Sequence, residues 1–291
     1  MDTITTESVF LNGEFIPLDA AKISVLDRGF LFGDGVYEVI PAYRRKLFRV
    51  TEHLQRLNNS LQGIRVNNPH STATWIDLFQ RLLAPHSTED MSIYLQVTRG
   101  IQAKRDHAFP NDLVPTVFIM ASPIHYASHI ANGVSAITLD DIRWSYCHLK
   151  AITLLPNVLL RQQAVDNDCA EAILIKDGFA TEGAATNVFI VDANGTLKTP
   201  PKNNAVLPGI TRDLVLELAG IHTLKFEECQ ISEAQLHSAA EIWITSSTKE
   251  IVPIVRLNNK TIGNGKPGPL WVKMTAFYAA YKDKIRRGEV T

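Results

Sequence analysis

Ala172-Ile173-Leu174-Ile175-Lys176-Asp177-Gly178-Phe179-Ala180-Thr181-Glu182-Gly183 decides how the second half of this 291-residue chain is built. A short apolar run, then Asp-Gly, then a second short run is the pattern of an antiparallel hairpin, because Asp and Gly tolerate the positive φ of a tight turn. The pattern recurs at once, where Val188 to Val191 and Thr196 to Lys198 flank Asn194-Gly195. It also opens the chain, where Val9-Phe10-Leu11 and Glu14-Phe15-Ile16 flank Asn12-Gly13. No Gly-x-Gly-x-x-Gly follows a strand, and Gly33-Asp34-Gly35 lacks the Lys-Ser/Thr of a P-loop. A doubly wound dinucleotide fold is set aside, and the reading is α+β.

Working outward, Val36 to Ala42 and Lys46 to Val50 read as strands joined by a basic turn. Thr51 is placed to cap a helix whose apolar face carries Leu54, Leu57, Leu61 and Ile64. A second helix carries Trp75, Leu78, Phe79 and Leu82, and Ile93 to Val97 and Val117 to Met120 read as buried strands. Further on come a strand at Val134 to Leu139, helices at Leu154 to Val165 and Arg212 to Leu218, and a strand at Ile242 to Ile244. Trp271, Met274, Tyr278, Tyr281 and Ile285 mark a closing helix. Residues 121–133 show no apolar period and are expected to be a linker. The expected organisation is a smaller N-terminal α/β domain over 1–120, that linker, and a larger C-terminal domain rich in antiparallel hairpins over 134–291.

Composition closes off several functions. Lys and Arg number 29 against 30 Asp and Glu, so the basic excess of a nucleic-acid binder is missing. Hydrophobic residues make up 45% and charged residues 20%, as in globular domains and unlike disordered chains or coiled coils. Three cysteines, Cys147, Cys169 and Cys229, cannot all pair and none has metal-ligand spacing, so reduced thiols and no metal are expected. No apolar run approaches the ~18 residues of a membrane span, and the polar, acidic Met1 to Ser8 does not read as a signal peptide. A cytoplasmic enzyme or binding protein is expected.

Four features carry chemistry. Lys150 lies in the apolar run Leu149 to Leu155. Such a setting disfavours the charged form of an amine and leaves it nucleophilic, as imine formation requires; the ordinary alternative is a lysine with its head in water. Glu182, among small residues ahead of a buried strand, can hold a proton on a ligand nitrogen or can face solvent on a turn. Leu207-Pro208-Gly209-Ile210-Thr211 opens a helix and offers amides to an anion, or makes an ordinary cap. Arg105 and His107, two apart on extended chain, point to one side and can grip a carboxylate, or belong to a solvated loop.

Taken together and in order, these features resemble a known family. Asp27-Arg28-Gly29-Phe30-Leu31-Phe32-Gly33-Asp34-Gly35-Val36-Tyr37-Glu38-Val39 is similar to the opening signature of fold-type IV pyridoxal-phosphate enzymes. Glu52-His53-Leu54-Gln55-Arg56-Leu57, Asp141-Ile142-Arg143-Trp144, Lys150, Thr181-Glu182-Gly183, Leu207 to Arg212 and Thr245-Ser246-Ser247-Thr248 follow in the family order. The resemblance implies a two-domain α+β enzyme with pyridoxal 5'-phosphate bound between the halves. Lys150 would bind it covalently and move the proton, and Glu182 would pair with the pyridine nitrogen. Arg56, Ile210, Thr211 and Ser247 would hold the phosphate, Ser246 would also bind the cofactor, and Leu207 would pack on the ring. Arg143 would lie near the site. Within the family, Tyr37, Ile93 to Gly100 and Arg105 to Pro110 resemble the members that act on D-amino acids. That implies transamination from D-alanine and related D-amino acids to 2-oxoglutarate, with Tyr37 and a neighbouring subunit's Arg105 and His107 on the substrate carboxylate, in a homodimer. Branched-chain L-amino-acid transamination and aminodeoxychorismate lyase chemistry are the alternatives of the same fold type. Two departures stand out: the loop from Gly100 to Arg105 is one residue longer than the pattern, and Ala184-Ala185-Thr186 stands where serines are expected.

Overall fold

Asn12 and Gly13 take φ of 50° and 105° and close β1 (Ser8–Leu11) on β2 (Glu14–Pro17), the first of the expected hairpins. The structure is a computed structural model and describes residues 4–86, 89–110, 112–126 and 132–290. It divides into two compact units that are not contiguous halves. The first comprises Met1–His125, Leu149–Thr153 and Lys284–Thr291, and the second Tyr126–His148 and Leu154–Asp283.

In the first unit the short helix α1 (Arg28–Phe32) precedes β3 (Gly35–Tyr43), β4 (Lys46–Leu47), α2 (Val50–Gly63), α3 (Thr72–Leu83), β5 (Asp90–Thr98) and β6 (Thr116–Pro123). The strands form one antiparallel sheet in the order β2-β1-β6-β5-β3-β4. Alternation along β3 sends Val36, Glu38 and Ile40 to the buried face and leaves Tyr37 and Val39 half-buried on the other. On the buried face Val36, Ile40, Ile93, Leu95 and Val97 pack with Leu54, Leu57 and Leu61 of α2 and with Trp75, Leu78 and Phe79 of α3. Each such side chain stabilises the unit by roughly 1.5–3 kcal/mol.

Three local expectations need correction. The cap of α2 is not Thr51. Arg49 turns the chain with φ 49°, the helix starts at Val50, and no side chain caps it among the described residues. That sharp turn also cuts the expected strand at Lys46 to Val50 to two residues. The expected linker begins inside β6, because Ala121, Ser122 and Pro123 pair with Ile93, Ser92 and Met91. Its residues 127–131 lie outside the described residues.

The second unit runs through β7 (Val134–Asp140), α4 (Leu155–Asp166), β8 (Glu171–Lys176), β9 (Phe179–Gly183), β10 (Asn187–Val191), β11 (Leu197–Thr199) and α5 (Ile210–Ile221). It continues with β12 (Phe226–Glu228), β13 (Ile231–Ser232), α6 (Glu233–His237), β14 (Glu241–Ser246), β15 (Glu250–Leu257), β16 (Lys260–Thr261) and most of α7 (Pro269–Arg287). The sheet order is β12-β11-β10-β14-β15-β7-β8-β9-β13, with β16 on β15. Asp177 and Gly178, at φ 52° and 81°, make the expected β8–β9 hairpin. The β10–β11 turn is held by Asp192, whose carboxylate accepts from the amides of Asn194 and Thr196. At the centre β7 pairs in parallel with both β15 and β8, and the β7-to-β8 crossover contains α4, as parallel pairing requires. The fold is the expected α+β arrangement. Helix α5 begins at Ile210, two residues earlier than the periodicity suggests, because extended Gly209 is its N-cap.

Candidate active site

In the first unit, the return segment Leu149–Thr153 lies along β3. The Tyr37 amide donates to the Lys150 carbonyl at 2.9 Å, and the Lys150 amide donates to Ser60 Oγ on α2 at 3.1 Å. The Ile152 amide donates to the Gly35 carbonyl at 3.1 Å. This places Lys150 Nζ 4.0 Å from the centre of the Tyr37 ring. Tyr94, next to it on β5, has its ring 5.9 Å from that of Tyr37 and donates to Gln96 Oε1 at 2.7 Å. Burial, with Tyr37 alongside, pushes the Tyr94 phenol up to about 12, so it stays a donor.

On the opposite face of β3, Glu38 is fully buried and joined to α2. Arg56 donates to it through Nε at 2.7 Å and Nη2 at 2.8 Å, a two-point fork. His53 Nδ1 lies 2.8 Å from Glu38 Oε2. Burial alone would raise the Glu38 carboxyl, yet Arg56 and His53 outweigh it and hold the group at about 2. His53 is lowered by burial in spite of Glu38, which makes it the neutral tautomer donating from Nδ1. Arg56 is therefore oriented by an ionised carboxylate. Glu38 was missed as a site residue. The signal was available: a lone carboxylate in the buried phase of an apolar strand, facing His and Arg at i and i+3 of a helix.

Arg105 and His107 are both exposed, and the same ring gathers them. Arg105 stands 4.9 Å from the centre of Phe32, and the His107 ring stands 5.3 Å from it.

In the second unit, Glu182 lies one residue before the end of β9 and is buried. Arg143 donates to its Oε1, and Asn187 Nδ2 and the Leu207 amide each donate to Oε2 at 3.0 Å. Burial pushes the Glu182 carboxyl up to about 7, against the pull of Arg143 and the Leu207 amide. Asp141 fixes Arg143 from behind, accepting from Nε at 2.9 Å and Nη2 at 2.7 Å, and also takes the Thr181 hydroxyl at 2.8 Å. Arg143 thus acts on Glu182 directly. Asn187 and Asp141 were not singled out from sequence, since neither has a local pattern that tells it from a turn residue.

Asn187 also donates to the Leu207 carbonyl at 2.9 Å, and its Oδ1 lies where a Cβ on Gly209 would come within 1.9 Å. Only glycine fits that approach. The α5 N-terminus beyond it has no side-chain cap among the described residues, and Ile210 and Thr211 there are buried. Cross-strand from Asn187, Thr245 Oγ1 is buried with no hydrogen-bond partner among the described residues, directly ahead of Ser246 and Ser247. Open amides at a helix start, an orphaned hydroxyl and neighbouring serines form a donor set suited to a phosphate. A buried carboxyl poised between charge states suits a basic ring nitrogen. These residues fit a phosphorylated pyridine cofactor.

A family model described as Amino-transferase class IV matches residues 35–257. The chain is 39% identical to a D-alanine aminotransferase of Staphylococcus haemolyticus over 265 residues, which is 90% of this chain and 93% of that protein. It is 40% identical to a D-alanine aminotransferase of Bacillus licheniformis over 263 residues, 90% of this chain and 92% of that one. A solved branched-chain amino acid aminotransferase from Escherichia coli, 25% identical, superposes with a TM-score of 0.85, covering 94% of this chain and 93% of that one.

Proposed function

The chain belongs to the class IV aminotransferases, and on that footing we propose that it moves the amino group of D-alanine and related D-amino acids to 2-oxoglutarate, with pyridoxal 5'-phosphate as cofactor. The observation that carries the choice of substrate is that Arg105 and His107, two donors for a carboxylate, both lie against the Phe32 ring. The branched-chain alternative is not expected to have this pair. The identity of 39–40% to D-alanine aminotransferases supports the same choice.

Lys150 would hold pyridoxal phosphate through Nζ, and its amine would move the proton at the substrate Cα. Pyridoxal phosphate supplies an electron sink for the pair left by that proton. Glu182 would keep a proton on the ring nitrogen, with Arg143 pulling Glu182 towards its ionised form against burial. Arg56, the amides of Ile210 and Thr211, the Thr211 hydroxyl and Ser247 would hold the phosphate, Ser246 would lie against the cofactor, and Leu207 would pack on the ring. Tyr37, with Arg105 and His107 of a second copy, holds the substrate carboxylate. We place two copies in a homodimer, where a second copy would cover the exposed Phe30. No described helix is long and apolar enough to cross a membrane, and we place the enzyme in the cytoplasm.

The deciding measurement is the visible spectrum of the holoenzyme. D-alanine is expected to bleach the cofactor band and 2-oxoglutarate to restore it. Bleaching by L-leucine but not D-alanine would assign the branched-chain activity instead. More than one pyruvate released per site from D-serine without a keto acid, with an equal amount of ammonia, would mean elimination of the serine hydroxyl as water.

A further inference from the structure

The loop that presents Arg105 and His107 is exposed from Ala103 to Ala108, and it is held from underneath by a buried cation. Arg28, 3% exposed on α1, donates through Nη2 to the His107 carbonyl at 3.0 Å and through Nη1 to the Asp106 carbonyl at 2.7 Å. Nη1 also donates to the Gln102 side-chain oxygen. Its Nε binds Asp34 at 2.8 Å. Asp34 in turn takes Arg99 through Nε at 2.7 Å and Nη2 at 2.9 Å, and Arg99 donates onward to the carbonyls of Ile64 and Arg65. The far end of the loop is pinned by Phe109, whose ring centre lies 3.7 Å from the Arg99 guanidinium. Gln102 lies in the lengthened loop between Gly100 and Arg105. Besides accepting from Arg28, it donates to the Ala108 carbonyl at 3.4 Å and so bridges the two arms of the loop.

Phe32 is the other half of the support. Its ring centre lies 4.8 Å from the Arg28 guanidinium, 4.9 Å from that of Arg105 and 5.3 Å from the His107 ring. An arginine on an exposed loop samples many rotamers, whereas one already stacked on an aromatic face gives up less freedom when it binds an anion.

We propose that Arg28 and Phe32 are positioning residues for the substrate carboxylate: Arg28 fixes the main chain at Asp106 and His107, and Phe32 aligns the Arg105 and His107 side chains beside each other. The proposal rests on the reading of Arg105 and His107 as the carboxylate grip. Its signature is a change in substrate binding that leaves chemistry alone. Both substrates carry the α-carboxylate, so both should be affected alike.

The test uses the full-length holoenzyme with D-alanine and 2-oxoglutarate. Phe32→Leu, which keeps apolar bulk and removes the π face, is expected to raise both KM values about tenfold while kcat stays within about twofold. The cofactor spectrum should be unchanged, and Phe32→Tyr should keep KM near that of the parent. Arg28→Lys keeps the charge and loses the fork, and should raise both KM values further. Gln102→Ala, a change at a half-exposed side chain, should raise both in the same direction and decides the matter if Phe32→Leu does not accumulate as holoenzyme. Unchanged KM in Phe32→Leu and Gln102→Ala, or a fall in kcat with a shifted spectrum, overturns the proposal. Arg105→Ala separates the two levels. If it raises KM while the Phe32 and Gln102 variants do not, only the positioning role fails; if it leaves KM unchanged, the grip itself is misassigned.

Discussion

Glu38 and Glu182 are both buried carboxyls, but at Glu38 the cationic and hydrogen-bonding partners outweigh burial, whereas at Glu182 burial outweighs the partners. Glu38, held at about 2 against an ordinary 4.5, stabilises the folded chain in its ionised form. That contribution is complete above about pH 4.5 and is lost as the pH falls towards 2, on the order of 3 kcal/mol in all. Glu38→Gln is expected to remove this part of the acid sensitivity and to lower stability at pH 7 by a few kcal/mol, because the buried two-point pairing of Glu38 with Arg56 is broken. Urea denaturation of both proteins between pH 3 and 7 measures it. Glu182 sits at about 7, so the folded chain keeps a proton that the unfolded chain has released above about 4.5. Its contribution is complete below about 4.5 and is lost as the pH rises through 7. Cofactor-free Glu182→Gln should lack that decline, seen as a smaller difference in melting temperature between pH 5 and pH 8 than in the parent protein.

At the scale of elements, what could be read in the sequence was local chemistry. Asn12-Gly13 and Asp177-Gly178 form their turns because the conformation they favour is the one a hairpin needs. Lys150, Glu182 and the residues from Leu207 to Thr211 were legible as a set in order. What stayed hidden depends on distant parts of the chain. The φ of Arg49 that displaces the α2 cap follows from a tight exit out of β4. The parallel pairing of β7 with β8 and β15 joins segments far apart in sequence. Asn187 matters only because Glu182, Leu207 and Gly209 meet around it. Gly209→Ala tests that meeting point. The new methyl would displace Asn187, and the cofactor is expected to bind about tenfold more weakly or worse, as read by titrating the cofactor-free protein with pyridoxal phosphate.

For the whole molecule, near-neutral charge is a sum over strongly charged neighbourhoods. The net of -1 carries no basic excess, yet Arg28 and Arg99 both converge on Asp34 beneath the exposed loop that carries Arg105. Composition averages such clusters away. Surface apolarity behaves in the same way: overall content is ordinary, while Phe30 is 67% exposed. If a second copy covers that face, Phe30→Asp buries a charge on association and should shift the protein towards monomer. Sedimentation velocity reads the shift, and D-alanine turnover should fall with it if Arg105 and His107 serve the neighbouring subunit.

The five-residue segment around Lys150 is moored at both ends, by the amides of Tyr37, Ile152 and Lys150 itself, to β3 and α2. Its place therefore does not depend on an unbroken chain. Ile142, Trp144 and Tyr146 lie exposed a few residues upstream, where a protease can reach the backbone. A chain nicked there would keep Lys150 in register with the first unit, and the two fragments should stay together and survive as one species until the sheet itself melts. The amide protons of Tyr37 and Ile152 should exchange with solvent as slowly in the nicked protein as in the intact one.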